Sequence, residues 1–256
     1  MNWFILRGLV REQRHWGKFQ SVFQSKLIKE HPDGKVFCLD APGFGTELNR
    51  DSPLTIKGIV HDLRERWLVE KNKDPNSNWG ILAVSLGGMI SMQWTHDYPD
   101  DFKRLVVVNS SVSGLSPIHK RFKPKNIPRL IQLMISRDLN HREKNILQMT
   151  TNLTGDELAK KIKSNVEIAI TSNPARLNAV RQLIAATRFK AVKKIKVPML
   201  VISGLGDQLV HPDCSEQIAN HFRAKLVQHE TANHDLPTDE PDWVADQVLA
   251  SKNWQR

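Results

Sequence analysis

The stretch Trp79-Gly80-Ile81-Leu82-Ala83-Val84-Ser85-Leu86-Gly87-Gly88-Met89-Ile90-Ser91-Met92 decides the fold. An apolar run ends on a serine set between small residues, and a second apolar run follows at once. The pattern predicts a strand, a sharp turn at Ser85 and a helix. A bend that tight leaves no room for large side chains two positions to either side, so Ala83 and Gly87 are small of necessity. The turn holds the serine in a strained conformation at the strand tip and pushes its hydroxyl into a pocket mouth. The first N–H groups of the next helix, at its positive end, then suit a developing oxyanion. Read alone, the pentapeptide also fits an inert serine capping a helix. The rest of the chain separates the two readings.

Outward from this segment, short β-rich runs alternate with amphipathic stretches. Trp3 to Leu6, Val36 to Asp40, Ile81 to Val84, Leu105 to Asn109, Met199 to Ser203 and Lys225 to Gln228 read as strands. Most are continuous apolar runs of the kind buried on both faces of a parallel sheet. Trp16 to Lys29, Ile56 to Glu70, Met89 to Tyr98, Asp213 to Phe222 and Asp242 to Lys252 read as helices. The alternation predicts an α/β fold with a doubly wound, mostly parallel sheet of about six strands. Ligands of such sheets bind beyond the carboxyl ends of the strands. From Ser113 to Lys196 no strand is legible. Pro117, Pro124 and Pro128 puncture its start, and helical patterns follow. This interval reads as a helical cap, residues 113–196, inserted into a core formed by residues 1–112 and 197–256.

The 256 residues suffice for one sizeable core. No apolar run approaches the roughly 20 residues needed to span a bilayer, and Met1 to Arg7 show no basic leader before a run of signal-peptide length and read as a buried strand, so the expectation is a cytoplasmic protein without a transmembrane segment. Cys38 and Cys214 match no metal or redox spacing and read as thiols in a reducing compartment. The ten histidines are scattered, none paired at metal-ligand spacing, so no metal and no cofactor are expected. The net charge of +10 invites an anionic partner, yet no nucleic-acid module is visible. The excess sits between Pro117 and Lys196, with 18 Lys/Arg against 5 Asp/Glu. It reads as a solvated helical face or as an attractor of anionic substrates or of a lipid surface.

A serine nucleophile needs a base, and the base needs an orienting acid. Asp207 follows the run Val197 to Ser203, and His234 follows the next strand through Glu230-Thr231-Ala232-Asn233. Ser, Asp and His thus occur in that order after strands, on loops that open on one edge of a parallel sheet. Asp213 is the weaker rival acid, since it stands at the next helix start. His211 and His229 are the weaker rival bases.

The chain resembles the α/β-hydrolase superfamily, in its branch of small esterases and meta-cleavage-type hydrolases with a helical cap. Arg7-Gly8 with downstream Trp16 is similar to the family's His-Gly loop. Leu39-Asp40-Ala41-Pro42-Gly43-Phe44-Gly45 resembles its D-x-P-G-aromatic-G loop, with Asp40 pinning the turn. Ala83 to Gly88, Tyr98-Pro99 before Leu105 to Asn109, Gly204 to Asp207, and His234 with Glu240-Pro241 complete six segments in the family's order. The resemblance implies Ser85 as nucleophile, His234 as base, Asp207 as orienting acid, and the N–H groups of Leu86 and Leu9 as oxyanion hole. It implies an acyl substrate, a carboxylic ester in the simplest case, and the basic cap and Arg7 leave an anionic one as an option. Arg7, Gly8, Trp16 and Met134 are pocket candidates. Two departures stand out. Arg7 replaces the usual histidine, where it could pair with an Asp, meet a substrate carboxylate or point to solvent. The family's two leading antiparallel strands are not seen. Alternatives on the same triad are C–C or thioester cleavage or a lyase reaction; a non-catalytic binding protein is the reading from another class. The oligomeric state is not legible.

Overall fold

The computed structural model describes residues 1–172, 174–250 and 254, with the side chain of Met134 excepted. The strands are β1 (Asn2–Leu6), β2 (Val36–Cys38), β3 (Trp79–Val84), β4 (Arg104–Val108), β5 (Met199–Gly204) and β6 (Lys225–His229). The helices in chain order are α1 (Lys18–Glu30), α2 (Ile56–Lys71), α3 (Leu86–Asp97), α4 (Ile118–Arg121), α5 (Ile127–Ile135), α6 (Leu139–Thr150), α7 (Gly155–Thr171), α8 (Arg176–Arg188), α9 (Asp213–Phe222), α10 (Leu236–Asp239) and α11 (Pro241–Leu249). The strands form a single sheet in the order β2-β1-β3-β4-β5-β6, and every pairing is parallel.

Side-chain alternation along the strands builds the two faces. Phe4, Leu6, Ile81, Ala83, Leu105, Val107 and Val201 join one core with Ile59, Leu63 and Trp67 of α2, Trp94 of α3 and Ile218 of α9. Trp3, Ile5, Leu82, Val84, Val106, Val108 and Ile202 join the other with Phe19, Phe23 and Leu27 of α1 and Val244 and Val248 of α11. The central strands are therefore apolar on both faces, with polar residues only near their ends, such as Asn2, Arg104 and Ser203, which is why they read as nearly unbroken runs. Each such side chain, fully buried, contributes about 1.5–3 kcal/mol.

Chain order reverses between β1 and β3, which are neighbours in the sheet. In open sheets of this kind a ligand crevice lies at such a switch point, beyond the carboxyl ends of the strands. Helices α4 to α8 intervene between β4 and β5, and several of their residues bond to loops on that edge. Gln182 of α8 accepts from the Val10 amide at 3.0 Å, Asn178 of α8 accepts from Ser52 at 2.9 Å, and the Thr150 carbonyl of α6 accepts from the Asp235 amide at 2.6 Å. Glu143 of α6 pairs with Arg11 at 2.7 Å. Among the described helices none is long and apolar enough to cross a membrane. Both cysteines are free; burial, seconded by Asp40, pushes the Cys38 thiol up to about 12.

The small residue after the serine is enforced by backbone. A Cβ on Gly87 would stand 2.7 Å from the carbonyl oxygens of Leu6 and of Arg7. Neither can retreat without moving β1. Gly87→Ala is therefore expected to cost about 1–3 kcal/mol, read as a lower urea midpoint. An unchanged midpoint would show that β1 yields freely.

Candidate active site

Ser85 stands between β3 and α3 with φ 55° and ψ −116°. This is the left-handed region that a side chain enters at a cost of roughly 1–3 kcal/mol. The turn is over-determined. The Ser85 amide donates to the Val108 carbonyl at 2.9 Å, and the Ser85 carbonyl accepts from Gly88 N at 2.9 Å and from Ser110 Oγ at 2.8 Å. Gly8 makes room on the other side, since a Cβ there would lie 3.1 Å from Ser85 Cβ and 3.7 Å from its Oγ. Gly8 and Ser85 thus face each other across the switch point. Among the described residues neither the Leu86 amide nor the Leu9 amide donates a hydrogen bond. Both remain available to an oxyanion.

Asp207 follows β5 and is 1% exposed. Its Oδ1 accepts from the amides of Leu209 at 2.7 Å and Val210 at 2.9 Å. Its Oδ2 lies 2.7 Å from His234 Nδ1. The carboxylate thus has one oxygen fixed by backbone and the other committed to the imidazole. That places a proton on Nδ1 and leaves Nε2 as the basic nitrogen. Gly204 and Gly206 let the two loops approach, because a Cβ on either would sit 2.2 Å from a carbonyl oxygen of Ala232 or Thr231. No hydrogen bond joins Ser85 Oγ to His234 among the described residues. In unliganded sites that bond is often long and tightens with substrate.

Two asparagines hold these loops, and the sequence reading gave neither a role. Asn109, directly after β4, has φ 45°. Its Nδ2 donates to the carbonyls of Asn233 at 3.0 Å and His234 at 2.9 Å, and its Oδ1 accepts from Gly204 N at 2.9 Å. The serine turn and the histidine loop are therefore anchored to the consecutive residues Val108 and Asn109. Asn233 Oδ1 accepts from Gln208 N at 2.8 Å, tying the histidine loop to the acid loop. The available signal was an Asn at a strand end, a residue type tolerant of positive φ.

Arg7 is not free for a ligand. Its guanidinium makes a two-pronged pair with Asp235 at 2.9 and 2.7 Å, with both side chains buried, and lies 4.7 Å from the Trp16 ring centroid. Asp235 follows His234, so the pair links the Gly8 loop to the histidine loop. Although burial opposes it, Arg7 chiefly holds the Asp235 carboxyl down at about 2, helped by Thr238 and Lys161. Trp16 is 2% exposed and packs beside Phe19. Met134 lies in α5, but its side chain falls outside the described residues. Asp40 pins its loop, accepting from Gln13 N at 2.7 Å and Thr46 N at 3.0 Å. Asp213 opens α9 as its first residue and pairs with Lys120. His229 Nδ1 accepts from the amides of Thr231 and Ala232, and His211 Nδ1 from Asp213 N. Burial, reinforced by Arg11, Arg7 and Lys161, lowers the His15 pKa and keeps that imidazole neutral. Among the described residues no group of three or more His, Cys, Asp or Glu is arranged to hold a metal ion.

A parallel sheet wound on both faces, with a serine elbow at its switch point, defines the α/β-hydrolase class. The chain belongs to the Hydrolase_4 family, described as serine aminopeptidase, S33, whose profile matches residues 13–241. A poly(3-hydroxyalkanoate) depolymerase from Ectopseudomonas oleovorans is 24% identical over 188 residues, covering 70% of this chain and 61% of that protein. The chain therefore matches less than two thirds of that relative's length. A hydrolase from Pseudomonas aeruginosa superposes with a TM-score of 0.72 at 18% identity, covering 97% of this chain and 88% of the other. The enol-lactonase from Burkholderia xenovorans gives 0.71 at 19% identity, with 97% and 90% covered. At these identities the two structures share the fold with this chain.

Proposed function

We propose that this protein is a serine hydrolase of acyl substrates, carboxylic esters in the simplest case, working through an acyl-enzyme. Ser85 Oγ attacks the carbonyl carbon while its proton passes to His234 Nε2. The oxyanion rests on the Leu86 and Leu9 amides, each such donor supplying about 3–4 kcal/mol. The alcohol leaves with the proton from His234, and water activated by the same nitrogen releases the acid. Asp207 keeps the imidazole in the tautomer this needs. Helices α4 to α8 serve as the cap that shapes the acyl pocket. The observation that carries the reading is the 2.7 Å Asp207–His234 contact, on a histidine loop bonded to Asn109 while Val108 anchors a serine held at positive φ. A fluorophosphonate probe tests it: folded protein is expected to label, and Ser85→Ala to abolish labelling. Absence of labelling in the folded protein would favour a binding protein that keeps the fold without the chemistry.

One observation favours an anionic substrate on the same triad. Lys161 of α7 is half-buried, 3.0 Å from where a Cβ on Gly17 would lie, and among the described residues its Nζ has no hydrogen bond or ion pair. Burial lowers its pKa, with Asp235 opposing and Arg7 and Arg11 adding to the fall. A half-buried cation among cations already committed to their own carboxylates suits a carboxylate ligand. Lys161→Gln is expected to raise KM for monoanionic p-nitrophenyl esters by roughly fivefold or more, the scale of a charge-assisted hydrogen bond, and to leave neutral esters unchanged. Equal effects on both would refute this reading.

A further inference from the structure

We propose that α5 docks this protein onto an anionic lipid bilayer, a surface role that needs no catalysis. Ile127, Ile131 and Ile135 recur every fourth residue and so lie along one side of the helix. They are 48, 55 and 69% exposed. Leu130 and Leu133, by contrast, are half-buried. Single exposed aliphatics are ordinary on a protein surface, but a contiguous stripe is a mark of an interaction face.

Charge selects the occupant. Residues 117–137 carry six Lys/Arg and no Asp or Glu. Arg129 and Arg137 are exposed and, among the described residues, without an ion pair. Lys125 donates to the Gln208 side chain and Lys123 to the Asp207 carbonyl, so neither is neutralised by a carboxylate. A second copy would bring one cationic face against another, at a repulsive cost. An apolar helical stripe flanked by cations is the pattern of a helix lying in the plane of an anionic interface. Nearby Lys and Arg add about 1 kcal/mol each to such binding.

The docked face is also tied to the site. Besides the Lys123 contact, Asn126 Nδ2 donates to the Gln208 carbonyl at 2.8 Å. The segment leading into α5 is thus bonded to the loop that carries Asp207. Lying on a bilayer through α5, the protein holds that loop close to the lipid.

Co-sedimentation with large unilamellar vesicles tests the proposal. The full chain is expected to bind phosphatidylcholine vesicles that contain phosphatidylglycerol, and to lose binding with rising salt. Ile131→Ser/Ile135→Ser, at exposed positions that should not affect folding, is expected to weaken binding about tenfold or more. Arg129→Gln/Arg137→Gln is expected to weaken it about tenfold or more on anionic vesicles, at roughly fivefold per charge. Binding that ignores phosphatidylglycerol, or that survives the isoleucine change at full strength, overturns the proposal. So does a concentration-dependent dimer that the isoleucine change dissociates, which would assign the face to a second copy.

Discussion

Turnover of p-nitrophenyl butyrate by Ser85→Ala is expected to fall by roughly three orders of magnitude or more, with the fold intact. The reason is that every other group in the proposed reaction acts on or through that oxygen. His234→Ala should cost about as much, and combining the two changes should add little, because residues that act as a unit are not additive. Asp207→Asn is the more discriminating variant. An amide can still accept the Leu209 and Val210 amides on its oxygen, so the loop can keep its shape. It then offers the imidazole an NH2 group in place of an acceptor, which favours the wrong tautomer. Loss of kcat with little change in KM would identify this orienting role. Turnover equal to that of the unchanged protein in Ser85→Ala would remove the nucleophile assignment altogether.

The second large effect is on stability. Arg7→Met is expected to destabilise the protein by about 3–5 kcal/mol, because it strands the buried Asp235 charge. For a chain of this size the melting temperature should fall by about 2–4 °C per kcal/mol. Arg7→Met/Asp235→Leu should recover much of that loss, since no unpaired charge then remains in the interior. The pH dependence has a definite sign. Asp235 is held at about 2 in the fold, against about 3.9 for a free carboxyl. The unfolded chain takes up its proton first on acidification. The contribution is therefore complete above about pH 4 and is lost as pH falls toward about 2. Thermal melts of the three proteins across this range provide the check. If the single variant melts with the unchanged protein, the ion pair is not what joins the two loops.

Much of the fold was legible because parallel strands buried on both faces leave unbroken apolar runs. Expected and observed strands differ by at most two residues at either end. The largest differences are instructive. Leu39 and Asp40 were read into β2, which ends at Cys38 because Asp40 turns aside to bind Gln13 and Thr46. Trp79 and Gly80 belong to β3, where a Cβ on Gly80 would meet the Trp3 ring at 2.8 Å. A glycine that lets an indole pack looks, in sequence, like a strand break. Asp213, expected at a helix start, is the first residue of α9 and is held there by Lys120.

The order Ser85, Asp207, His234, and the need for small residues around the serine, follow from the sequence, because local backbone geometry dictates residue type at a tight turn. The partner of Arg7 does not. Asp235 lies 228 residues away, and nothing in either neighbourhood announces the other. The same holds for Asn109, whose side chain meets Gly204, Asn233 and His234 only once the strand ends are brought together. Exposure of the α5 isoleucines is likewise a tertiary fact. A helical apolar stripe reads the same in sequence whether it packs inward or faces water; what the rest of the chain leaves uncovered decides which.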